Sequence, residues 1–116
     1  MLDLRTLTDL DPIAGVARTL RSLEFNACRK IGRLDGLRPL ENLRTLHVLD
    51  CGDIESLAPI RGLPLETMLF YESTNIRDGD LNVLLDIRSL RDAWYADRRH
   101  YSHRRDNLAT LLAARR

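Results

Sequence analysis

The chain of 116 residues fits one small domain with a single core, and its 44% of hydrophobic residues include no run near the roughly eighteen needed for a membrane-spanning helix. Two cysteines, Cys28 and Cys51, are too few for the disulfide framework of a small secreted scaffold or for a four-ligand zinc site, so reduced thiols and neither metal nor cofactor are expected. The net charge of +1 hides an asymmetry: residues 98–116 carry six arginines against Asp106, a surplus of five, which leaves the first 97 residues at −4.

No cationic-then-apolar signal segment opens the chain at Met1-Leu2-Asp3, so a soluble, cytoplasmic protein is expected. Lys30 is the single lysine against seventeen arginines, the codon bias of a GC-rich bacterial genome.

In chain order, Leu10-Asp11-Pro12-Ile13-Ala14-Gly15-Val16 echoes Leu57-Ala58-Pro59-Ile60-Arg61-Gly62-Leu63, which marks residues 1–19 as a partial opening repeat. The first full copy runs from Leu20 through Leu23, Phe25, Cys28, Ile31, Leu34, Leu37 and Leu40. Adding 23 to these positions gives Leu43, Leu46, Val48, Cys51, Ile54, Leu57, Ile60 and Leu63. A third copy holds Leu65, Met68, Phe70, Ser73 and Ile76, and a fourth Leu90, Ala93 and Tyr95; the starts are spaced 23, 22 and 25 residues apart.

Within each copy the period changes. Leu23/Phe25, Leu46/Val48 and Met68/Phe70 alternate as in a half-buried strand. The three-residue spacing of Ile31, Leu34, Leu37 and Leu40 suits short helical turns in place of more strand. A unit of about 23 residues cannot bury its apolar face alone, whereas parallel strands stacked about 4.8 Å apart share one core. Pro39 and Pro59 fall in the return segments, where a missing N–H breaks no ladder bond. Asp78 or Asp80 is placed to cap a helix carrying Leu81, Leu84, Leu85 and Ile87. Cys28, Cys51 and Ser73 fall in one column, where a thiol or hydroxyl can bond a neighbouring backbone group. A Cys28–Cys51 bridge would have poor geometry, because both side chains point the same way.

The pattern Leu-x-x-Leu-x-Leu-x-x-Cys-x-x-Ile resembles the leucine-rich-repeat family, in the small bacterial proteins that carry cysteine where others carry asparagine. The resemblance covers roughly Leu7 to Ala96. It implies an α/β fold: a short right-handed solenoid with parallel strands on one face, short helices or 3-10 turns on the other, and a C-terminal capping helix. The whole chain, 1–116, is then one domain, with a partial repeat or cap over 1–19, repeats over 20–96 and a cap or tail over 97–116.

In such an architecture recognition falls to the outward strand residues. Alternation turns Ser22, Glu24 and Asn26 outward, then Thr45, His47 and Leu49, then Thr67, Leu69 and Tyr71, then Asp92, Trp94 and Ala96. His47, Leu49, Leu69, Tyr71 and Trp94, with Arg44, Glu66 and Arg91 at the margin, have the make-up of a protein-binding patch with a polar rim. The expected function is therefore a protein–protein interaction module, an adaptor or an inhibitor such as an immunity protein, present as a monomer or weak homo-oligomer. The alternative for the patch is self-coverage: Leu108, Leu111 and Leu112 give residues 106–114 an amphipathic helix, which either lies over the face or closes the last repeat.

The segment Asp97-Arg98-Arg99-His100-Tyr101-Ser102-His103-Arg104-Arg105 looks like the closing segment of some small bacterial leucine-rich-repeat proteins. Arg98, Arg99, Arg104 and Arg105 around Tyr101 have the chemistry to contact phosphate or stack on bases, so a nucleic-acid-binding accessory protein is the second reading. His100, His103 and His47 invite a metal reading, set against capping or surface roles. Ser102 beside His103 lacks the strand-turn-helix elbow and glycine-rich loop of a nucleophile site, and no Gly-x-x-x-x-Gly-Lys or Gly-x-Gly-x-x-Gly occurs, so no enzyme is expected.

Overall fold

The structure, a computed structural model, describes residues 2–4, 20–27 and 31–114. Its strands are β1 (Leu2–Leu4), β2 (Ser22–Asn26), β3 (Thr45–Leu49), β4 (Asp53–Ile54), β5 (Thr67–Tyr71), β6 (Asn75–Ile76) and β7 (Asp92–Tyr95). Two α-helices, α1 (Asn82–Asp86) and α2 (Arg105–Ala114), and two 3-10 turns, Asp35–Leu37 and Ala58–Ile60, follow or separate them. The chain is thus mixed α/β, built on a parallel sheet in the order β1-β2-β3-β5-β7.

The register aligns the apolar positions of the sequence copies. Leu23, Leu46, Met68 and Ala93 stand side by side across the sheet, as do Phe25, Val48, Phe70 and Tyr95. All eight are buried, most of them completely. Each large aliphatic side chain so placed contributes about 1.5–3 kcal/mol relative to exposure. Ladders start alike at successive strands: Thr45 N–H donates to Arg21 O, Thr67 to Arg44 O and Asp92 to Glu66 O. Strand ends are also alike, because Ala27, Asp50 and Glu72 all take positive φ and turn the chain out of the sheet.

The three-residue spacing after each strand corresponds to the 3-10 turns, which bury Leu37 in one case and Pro59 and Ile60 in the other. The expected helix of the third copy is α1, five residues long. Its N-cap is Leu81, which makes no side-chain cap bond; the two acids expected to cap it lie ahead of that position, Asp78 Oδ1 accepting the Asp80 N–H and Asp80 Oδ1 the Asn82 N–H.

Three features depart from the sequence reading. Strand β1 pairs in parallel with β2, Leu2 opposite Leu23, at residues too few to display a period. A second, two-stranded parallel sheet joins β4 to β6, with Ile54 opposite Ile76, where helical turns alone were expected. Ser73 is exposed, and Thr74 occupies the inward place beside Cys51. Thr74 Oγ1 accepts the Cys51 N–H at 2.9 Å and donates to Val48 O at 2.9 Å, while Ser73 Oγ accepts the Gly52 N–H from the exposed side. Asp50 turns the chain in the same way as Glu72, ahead of buried Cys51, so the exchange goes with the two buried bonds of Thr74 and not with the turn itself. The expected opening repeat beyond β1, and Cys28 with any Cys28–Cys51 contact, lie outside the described residues.

Candidate functional site

Strands β2, β3, β5 and β7 set their outward residues in rows. One row is Glu24, His47, Leu69, Trp94; a second is Asn26, Leu49, Tyr71; a third is Ser22, Thr45, Thr67, Asp92. The five residues expected to bind, His47, Leu49, Leu69, Tyr71 and Trp94, therefore lie on adjacent strands of one face. Four are half-buried by their neighbours, and Trp94 is 46% exposed.

Polar chemistry concentrates at the ends of the first row. His47 Nδ1 lies 3.2 Å from Glu24 Oε1, with both side chains about one-fifth accessible. At the other end the Tyr71 ring meets Trp94 edge to face at 5.3 Å, and the Arg105 guanidinium sits over the indole, 4.7 Å from its centroid. Of the expected margin, Glu66 and Arg91 are exposed, and Arg44 donates to Pro64 O at 3.4 Å.

Helix α2 lies against β7 and α1 and buries Leu108 and Leu112. Leu111 stays 44% exposed and Trp94 remains accessible, so the helix does not cover the strand face. Between α2 and β7 a cavity of about 330 Å3 is bordered by Arg91, Trp94, Arg105, Ala109, Leu112 and Ala113.

The arginines expected to gather an anion do not converge. Arg98 Nη2 donates to Glu72 O at 3.1 Å and to Thr74 O at 3.4 Å. Arg104 lies 3.8 Å from Asp97, Arg105 stacks on Trp94, and Arg99 is exposed. Residues around them bond the main chain of the segment from 76 to 81. His100 Nε2–H donates to Ile76 O, the Tyr101 hydroxyl accepts the Ile76 N–H, Ser102 N–H donates to Gly79 O and Ser102 Oγ accepts the Leu81 N–H. Side chains thus satisfy main-chain groups between residues 72 and 81. Gly79, at φ 66°, is required here, since a Cβ would collide with the His100 carbonyl oxygen.

From the sequence, residues 97–116 are a cap or tail and the histidines capping or surface groups; these bonds are not assigned there, although one signal for Tyr101 is present. Ile31, Ile54 and Ile76 advance by 23 and 22, and the next step of 25 lands on Tyr101, which is buried. Its ring meets Phe70 and Tyr95 edge to face, and those two stack at 4.9 Å. Burial raises the pKa of both Tyr95 and Tyr101, with the Asp97 charge adding to the effect at Tyr95.

Ser102 Oγ lies 2.8 Å from His103 Nδ1, but that hydroxyl already accepts the Leu81 N–H, which makes it a backbone clamp. Among the described residues no group of three or more His, Cys, Asp or Glu is arranged to hold a metal ion. No helix among them is long and apolar enough to cross a membrane. Comparisons with protein-family profiles, curated proteins and solved structures found no match.

Proposed function

We propose that this chain is a leucine-rich-repeat solenoid that binds a partner protein through its strand-lined face, acting without catalysis or cofactor. In its sharper form the protein is an inhibitor of the immunity type, which neutralises an enzyme by covering its active site. The observation that carries the reading is Trp94: in a chain whose other strand aromatics are buried or half-buried, it is 46% exposed and is braced by Tyr71 and Arg105. Rigid aromatic groups held in place before contact are the usual anchors of protein interfaces. Leu69 stands opposite it and Leu49 opposite Tyr71, and the less apolar Glu24 and Asn26 border the patch.

The test is an affinity capture from the native bacterial host with the wild-type chain and with Trp94→Ala/Tyr71→Ala, followed by rebinding of the purified pair. A captured protein should rebind the wild type and lose at least about tenfold in affinity for the double variant, whose far-ultraviolet circular dichroism stays unchanged. Equal binding by both chains refutes the assignment of this face. Less supports the nucleic-acid reading, because Arg98, Arg104 and Arg105 each have a partner within the protein.

A further inference from the structure

The geometry points to a specific chemical demand on the partner, which rests on reading the strand face as the binding site: His47 offers a hydrogen-bond acceptor, fixed in one tautomer by Glu24, and the partner meets it with a donor. An ionised carboxylate can only accept a hydrogen bond. With Oε1 of Glu24 at 3.2 Å, His47 Nδ1 therefore carries the proton, and the neutral ring is left with a bare lone pair on Nε2. No group among the described residues bonds Nε2, and that atom is not buried.

The surroundings sharpen the demand. Glu24 is the charged group that β2 sets opposite His47; β5 sets Leu69 there, which cannot ionise. Along β3 the outward neighbours are Thr45 and Leu49. The acceptor thus stands at the edge of the apolar patch, with Trp94 one strand beyond Leu69. A partner carboxylate or carbonyl docked there would face a lone pair, whereas a hydroxyl, amide or indole N–H complements it.

Two measurements on the full chain test the inference. In the 15N-labelled protein at neutral pH, two-bond proton–nitrogen correlations of the His47 ring, assigned by their loss in His47→Gln, should show protonated Nδ1 and bare Nε2. In Glu24→Gln the pattern should move toward the other tautomer. A wild-type ring protonated at Nε2, or one indifferent to Glu24→Gln, overturns the proposal. Second, peptides from a displayed random library are selected on the wild-type chain with counter-selection on Trp94→Ala. Their affinity should fall roughly tenfold for Glu24→Gln, which frees the ring to carry its proton on Nε2, the equivalent of one lost hydrogen bond, and in a His47→Gln background the same change should have no effect. Peptides that need Trp94 yet bind the wild type and Glu24→Gln equally sink the acceptor while sparing the interface. Failure to obtain any Trp94-dependent peptide counts against both.

Discussion

Ala27, Asp50 and Glu72 hold φ of 60°, 52° and 62° where three strands end, a backbone region in which a Cβ is crowded by the following carbonyl. Glu72 is exposed, so its replacement tests that crowding with little loss of packing. Glu72→Gly should raise stability by about 0.5–1 kcal/mol in urea denaturation, and Glu72→Val should lower it. The neighbouring pair separates a core role from a surface one. Thr74→Val strips two buried main-chain groups, Cys51 N–H and Val48 O, of their partner and should cost about 1–3 kcal/mol, whereas Ser73→Ala, at an exposed bond, should cost well under 1 kcal/mol. Equal effects would show that Thr74 does not fill the place assigned to Ser73 from the sequence.

At the level of elements, the strands with five-residue alternation were legible because Leu23/Phe25, Leu46/Val48 and Met68/Phe70 repeat their spacing, and the same alternation located His47, Leu69 and Trp94 on the outward side. Strand β1 and the β4–β6 pair were not, since two or three residues cannot carry a period. The segment after β7 reads as a cap or tail, but its bonds were not legible, because Arg98, His100, Tyr101 and Ser102 act on main chain more than twenty residues away, which leaves no pattern in hydropathy. Tyr95 on β7 and Tyr101 within that segment make the end of the sheet sensitive to alkali. Their folded pKa values lie above the unfolded value of about 10, so the stability they contribute is complete below pH 10 and declines as rising pH ionises the unfolded chain first. Absorbance of their ionised phenols should therefore appear together with loss of the circular dichroism signal. Ionisation of both in a chain that keeps its signal contradicts this account.

For the molecule as a whole, one cluster of buried residues runs from Leu23 to Leu112, joining the strands, the 3-10 turns and both helices. A single core of this kind unfolds as a unit. Trp94, the single tryptophan, lies on the last strand, and its fluorescence should change at the same urea concentration as the far-ultraviolet signal. Leu46→Ala, at a fully buried site on β3, should shift both transitions together by about 2–5 kcal/mol. A fluorescence change that precedes the other would reveal a terminus that frays independently.

The clamp formed by Arg98, His100, Tyr101 and Ser102 takes hold of carbonyl and amide groups and ignores the side chains of the turn it closes. Mutational drift at the outward positions of β2, β3 and β5 leaves that grip untouched. The outward residues of the strand face and the residues of this clamp are therefore separate sets of side chains, so a substitution in one set leaves the bonds of the other in place.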